Sequence, residues 1–189
     1  DMRSVTETQR RLNLIVSASN MLAQADNLSV GLQDLAQMMV RHWGASFCRL
    51  FLFDEEQQIL TTQAVYPLQP EEADWQWAAQ VGLQTAVADW HRLDELLNQR
   101  SASLIRKEGR QGRFILQKWA QRLELSQPIQ SLLVVPLRSG DRVVGLMDLG
   151  ELSEGEAAAV SLEKQNLAIA IAKQTAVLID RLNMYEKTR

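Results

Sequence analysis

The stretch Ser131-Leu-Leu-Val-Val-Pro-Leu-Arg-Ser-Gly-Asp-Arg-Val-Val-Gly-Leu-Met-Asp-Leu149 decides the fold. Two apolar runs flank Arg138-Ser-Gly-Asp-Arg142, the pattern of a β-hairpin with a glycine in its turn. A strand with one wet face alternates apolar and polar residues, and Leu132 to Val135 do not. An unbroken apolar run requires both faces of the sheet to be covered. The rest of the chain must therefore supply two covers.

Working toward the N-terminus, the first cover is helical. Leu12, Ile15, Val16, Met21 and Leu22 recur three to four residues apart over residues 6–25, which predicts an amphipathic helix. Asn27 or Ser29 can cap a second helix carrying Leu32, Leu35, Met38, Met39 and Trp43, with Gly44 placed to end it. Residues 45–53 then read as a strand, with Phe47, Phe51 and Phe53 on one parity and Cys48, Leu50 and Leu52 on the other. A polar turn at 54–58 leads to a partner strand over 59–66, stopped by Pro67 and Pro70.

Residues 71–130 hold four of the five tryptophans: Trp75, Trp77, Trp90 and Trp119. Helices are expected over 86–97 and 112–125, with a short strand over 102–106 between them. After the hairpin, Ser153 is the expected cap of a helix over 157–187. That helix would be on the order of 45 Å long, more than the sheet needs, so its end is expected to project. Leu167, Ile171, Gln174, Leu178, Leu182 and Tyr185 form one stripe on it, and Ile169, Ala172, Ala176 and Ile179 another. One stripe can face the sheet and the other the same helix of a second copy.

Composition excludes several classes. The 189 residues suit one domain with extensions. They include 46% hydrophobic and 23% charged residues, as expected of a globular chain that buries a core. A net charge of -3 argues against a nucleic-acid binder. With Cys48 as the single cysteine there is no disulfide framework and no cysteine-based zinc site, which fits a reducing, cytoplasmic compartment. No apolar run approaches a membrane span and no signal-peptide core follows Asp1. A start at Asp1 that runs at once into a helical pattern is expected of a piece of a longer protein.

The order helix, helix, strand, polar turn, strand, crossover, apolar hairpin, long helix resembles the GAF domain family. Three segments carry the resemblance: RLNLIVSASNMLAQADNLSVGLQDLAQMMVRHWGASFCRLFLFDEEQQIL (residues 11–60), SLLVVPLRSGDRVVGLMDLGE (131–151) and LEKQNLAIAIAKQTAVLIDRLNMY (162–185). The resemblance implies an α+β, GAF/PAS-like sandwich. A central antiparallel sheet carries the N- and C-terminal helices on one face and a crossover layer enclosing a small-molecule pocket on the other. The implied organisation is a connector helix over residues 1–26, a core over 27–156, and a C-terminal helix over 157–189 that packs on the sheet and extends for signalling and dimerisation.

It also implies a sensory or regulatory module of a larger bacterial signalling protein, such as a histidine kinase of a two-component system. Such modules pair as homodimers through their terminal helices, here through Leu12, Ile15, Leu22, Leu167, Ile171, Leu178, Leu182 and Tyr185. The pocket residues it points to are Trp75, Trp77, Trp90, Arg106 and Trp119, and Arg106 ends the short strand that would border the cavity.

Several chemistries lack their residues. Family members that attach a bilin do so through a cysteine in the crossover, where this chain has none. The sulfoxide reductases of this fold use more than one cysteine. His42 and His91 have no second ligand at metal spacing, so neither haem nor a metal is expected. No G-x-S-x-G or phosphate-loop pattern is present, the cyclic-nucleotide signature of the family is missing, and no enzyme activity is expected.

Arg100, Arg106, Lys107, Arg110, Arg113, Lys118 and Arg122 stand against Glu108 alone over residues 100–122. They suit either an anionic ligand at a pocket rim or a solvated helix face. The tryptophans can likewise line a cavity or fill it. Two readings therefore stand: a small-molecule input module, or a dimerisation and spacer module with a packed interior and no ligand.

Overall fold

The computed structural model describes residues 2–67 and 80–188. Asn27 caps the second helix, its side-chain oxygen accepting from the backbone N–H groups of Ser29 and Val30. Helix α1 spans Met2–Ala23 and α2 spans Leu28–Met38. Helix α2 widens into a π-type turn, Met39–Trp43, and stops at Gly44, whose φ of 103° is a left-handed conformation natural to glycine. Strand β1 (Phe47–Asp54) pairs antiparallel with β2 (Ile59–Pro67), and β2 with the short β3 (Gln84–Ala86). On its other edge β1 pairs with β6 (Arg142–Glu151), β6 with β5 (Ser131–Ser139), and β5 with β4 (Ser103–Arg106). The order across the sheet is β3-β2-β1-β6-β5-β4, so the hairpin lies near the centre, as its apolar strands require.

Alternation along the strands sorts residues into two cores. Cys48, Leu50, Leu133, Val135, Met147 and Leu149 face α1, α2 and a long C-terminal helix, α5 (Leu162–Thr188). Phe47, Phe51, Leu132, Val134 and Leu146 face the crossover, where α3 (Leu93–Leu97) and α4 (Arg110–Arg122) lie. The hairpin register skips Val144, so Val144 and Leu146, two residues apart, serve opposite cores while Val143 joins Leu146 on the crossover side.

Three local expectations change. Residues 86–97 are not one helix. The strand β3 ends at Ala86, a single 3-10 turn (Val87–Asp89) follows, and Arg92 adopts a left-handed φ of 59° before α3 begins. Ser153 does not cap the last helix. Gly155, with φ of 91°, starts a separate turn (Gly155–Ala158), and Ser161 caps α5 by accepting from the Lys164 N–H. Helix α5 thus starts at Leu162 and is about 40 Å long.

The terminal-helix residues divide in a way the stripes did not separate. Leu22, Leu167, Ile171 and Leu178 are buried in the chain's own core together with Ala172, Ala176 and Ile179. As far as Leu182, both stripes of α5 are therefore occupied within one chain, because the helix lies in a groove between the sheet, α1 and α2. Ile15 and Leu182 are half-buried against the same core, Leu12 is exposed, and Tyr185 lies on α5. Polar ties hold this layer together: Ser19 donates to Gln174 at 2.6 Å, and the Trp43 indole to the Lys164 carbonyl at 2.9 Å.

Candidate functional site

The crossover face of the sheet contains an ion pair where a core would be expected. Arg49 shares the inward parity of Phe47 and Phe51 on β1, and Asp148 is its direct partner on β6. Both side chains are buried, at 4% and 0% exposure, so each charge is stable only if paired and hydrogen-bonded. Arg49 Nε and Nη2 donate to Asp148 Oδ2 at 2.9 and 2.6 Å, and the Arg49 backbone N–H donates to Oδ1 at 3.0 Å. The Trp119 indole N–H gives Asp148 a fourth hydrogen bond, at 2.9 Å.

Aromatic rings enclose the guanidinium. Its central carbon lies 4.8 Å from the Phe51 ring, 5.5 Å from Trp90 and 6.0 Å from Trp119, a cage suited to a cation. Trp90 and Trp119 pack with centroids 4.4 Å apart, and Phe51 meets Trp90 edge-on at 6.3 Å. Trp90 is touched by a second guanidinium, that of exposed Arg122, which also donates to the Asp89 carbonyl. The structure brings Trp90 and Trp119 together with Arg49 and Asp148 on the face where the pocket was sought.

Arg106 does not join them. It sits exposed at the end of edge strand β4. Trp75 and Trp77 lie outside the described residues. The other cations of residues 100–122 are exposed as well, with Lys107 donating to Gln130 at 2.8 Å. Two clefts open on this side. One of about 940 Å³ is walled by Lys107, Arg113, Gln117 and Leu125, and one of about 430 Å³ by Asp89, Trp90, His91, Lys118 and Arg122. Neither has Trp119 in its wall. His91 is exposed, its ring edge-on to Phe114 at 4.9 Å.

Sequence reading missed Arg49 and Asp148. The signal was a basic residue on the inward parity of β1 and an acid inside the apolar run of β6, two charges with no solvent available to them. Cys48, beside Arg49, points to the helical face and is fully buried. Burial pushes its thiol well above the ordinary value of 9.0, Asp148 adds to this and Arg49 opposes it, so it stays protonated and unreactive.

The family model for the GAF domain matches residues 27–181. The chain belongs to the GAF domain family. Among solved structures it is similar to the GAF domain of a phosphoenolpyruvate-protein phosphotransferase from Coxiella burnetii, at 14% identity and a TM-score of 0.73, covering 95% of this chain and 98% of that one. It is also similar to the phycoerythrobilin-bound GAF domain of a cyanobacterial phytochrome, at 13% identity and a TM-score of 0.71, covering 95% and 99%. A third is the GAF domain of a protein described as a sensor histidine kinase from Pseudomonas syringae pv. tomato, at 14% identity and a TM-score of 0.64, covering 100% and 99%. Such identities establish the fold that these GAF domains share. No curated protein matches the chain.

The phytochrome neighbour is bilin-bound, and this GAF domain's residues do not fit covalent attachment of that group. Its one cysteine is sealed on the opposite face of the sheet from Trp90 and Trp119. Among the described residues no cluster of three His, Cys, Asp or Glu is placed to hold a metal, and no helix is long and apolar enough to cross a membrane.

Proposed function

We propose that this GAF domain is a non-catalytic regulatory module of a larger signalling protein, acting through its terminal helices, with an interior closed by its own side chains. The observation that carries this reading is the Arg49–Asp148 pair. With Trp90, Trp119 and Phe51 it occupies the face where a ligand would sit, and all five are buried. Opening that space would uncouple a charge pair and expose two tryptophans. The packed interior reading is tested by native mass spectrometry of the 189-residue chain, where the polypeptide mass alone is expected. A co-purified molecule with nuclear Overhauser contacts to Trp90 and Trp119 would overturn it.

One observation favours the small-molecule reading. The Trp90 indole nitrogen is buried with no hydrogen-bond partner among the described residues, and a bound acceptor would satisfy it. Homodimerisation is supported by an apolar stripe on α1. Val5, Leu12 and Val16 are 67%, 52% and 55% exposed and recur at seven and four residues, as on a coiled-coil seam. Sedimentation is expected to show a dimer that Leu12→Glu with Val16→Glu dissociates, and a monomer at high concentration would refute the pairing.

A further inference from the structure

The helical layer borders an open cleft of about 820 Å³ between α1, the end of α2 and the first two turns of α5. That volume is typical of small-molecule sites. Its apolar wall includes Leu14, Met21, Met38 and Leu167. Its charged wall holds four cations, Arg10, Arg11, Arg41 and Lys164, against Glu7, Asp34 and Glu163. Arg11 engages two of those carboxylates, Glu163 at 2.9 Å and Glu7 at 3.6 Å.

Among the described residues the remaining cations lack acid partners. Lys164 is half-buried with its ammonium 4.1 Å over the Trp43 ring, and among the described residues no carboxylate lies within ion-pair distance. Burial lowers its pKa below the ordinary 10.5, with Glu151 partly opposing. Arg41 donates to the Tyr66 hydroxyl at 3.0 Å and to the Gln37 amide oxygen, and among the described residues Arg41 pairs with no acid and Arg10 has no polar partner. Among the described residues, Asp34 is the one wall carboxylate left without a cation.

A half-buried ammonium held over an indole without a counter-ion is costly unless an anion joins it. We infer that this cleft binds a small amphipathic anion, a carboxylate or phosphate on an apolar body. Arg10, Arg41 and Lys164 take the head, and Leu14, Met38 and Leu167 the body. The site is separate from the Trp90–Trp119 interior, since the sheet lies between them, and it stands whether or not that interior holds a ligand. It is also separate from the α1 stripe. At about 100° per residue, Leu12 and Val16 lie roughly opposite Arg10, Leu14 and Ser17. A bound anion would tie α1 to the α2 and α5 ends and so shift the layer only by its preference for that arrangement.

Dodecanoate, inorganic phosphate and phosphatidylglycerol vesicles serve as probes of the full chain, with binding read by calorimetry and by the indole N–H resonances. Dodecanoate below its micellar concentration is expected to bind once per chain and to move the Trp43 resonance but not that of Trp119. Lys164→Gln with Arg10→Gln is expected to weaken it about tenfold or more, whereas Arg113→Gln on the far face leaves it unchanged. Ser17→Trp keeps every charge and fills the cleft from an exposed position, so it should abolish binding in a chain whose melting is unaltered. Phosphate alone is expected to bind far more weakly, for want of an apolar body. Failure of dodecanoate to saturate, affinity indifferent to these variants, or binding only to vesicles would each overturn the inference. So would a dimer that Lys164→Gln dissociates, because the cleft would then be an interface.

Discussion

The two faces of the sheet solve the same burial problem with different chemistry. On the helical face, Leu35, Met39, Leu50, Leu133, Ile171 and Ile179 pack with no charged side chain among them, and α1, α2 and α5 are held mostly by apolar contact. On the crossover face, short segments with little regular structure bring two tryptophans onto an ion pair. Long helices can cover a sheet by periodicity alone. A crossover built of a 3-10 turn, a five-residue helix and one longer helix needs specific anchors, and Asp148 provides one by binding both Arg49 and Trp119. The face expected to be a pocket is thus the more specifically wired of the two.

The largest expected effect breaks that wiring. Asp148→Ala leaves a buried guanidinium unpaired and the Trp119 indole without an acceptor, and a loss of about 3–5 kcal/mol by urea unfolding is expected. The double replacement Arg49→Met with Asp148→Leu should recover much of this loss, since it removes both charges. Failure of the double variant to recover anything would mean that the pair does more than neutralise itself. On the other face, Ile171→Ala should lose about 2–5 kcal/mol by leaving a cavity, with no compensating partner available.

Where the faces meet, Gly150 sharpens the comparison. It pairs with Phe47 across β1 and β6, and an added Cβ would lie 2.0 Å from the Phe47 ring. Gly150→Ala is expected to lose about 1–3 kcal/mol by displacing that ring within the crossover core. A shift of the Phe51 and Trp90 resonances, with those of Ile171 and Ile179 unmoved, would locate the strain on one face. Equal shifts on both sides would show that the sheet transmits it.

Cys48 gives a pH test of the helical face. Its folded pKa is raised above the unfolded value of 9.0, so the folded state keeps the thiol proton after the unfolded chain has lost it. The stabilisation is full below pH 9.0 and is lost as pH rises through the folded pKa, at up to about 1.4 kcal/mol per pH unit. Cys48→Ala should therefore flatten the fall in stability above that pH, and an unchanged slope would place the thiol in contact with water.

Much of this division was legible in the sequence, for reasons that differ by face. The parity of Phe47, Phe51 and Phe53 against Cys48, Leu50 and Leu52 predicted the two cores, and the hairpin predicted the double cover. Asn27 and Gly44 marked the ends of the second helix because caps are local. The pairing of Arg49 with Asp148 was not legible. It depends on the register of two strands 99 residues apart, which no local pattern encodes. The burial of both stripes of α5 was hidden for a related reason. Periodicity shows how many apolar faces a helix has, not whether its own chain fills them. The helix expected over residues 86–97 failed because Arg92 turns left-handed, and no glycine was there to announce it.

The smallest expected effect lies at the hairpin turn. Asp180 on α5 accepts from Ser139 at 2.7 Å and pairs with Arg142, tying the Gly140 turn to the C-terminal helix. Arg142 is half-exposed, so water screens the pair, and Arg142→Gln should lose less than about 1 kcal/mol. Asp180→Ala removes both bonds and should lose more than Arg142→Gln, because the shielded Ser139 contact goes with it. A double-mutant cycle between Arg142 and Asp180 isolates the ionic part, which 0.5 M salt should diminish. The buried pair at Arg49 and Asp148 should respond little to the same salt. If both pairs answered salt alike, solvent would have to reach the crossover interior, and the contrast between an open rim and a closed centre would collapse.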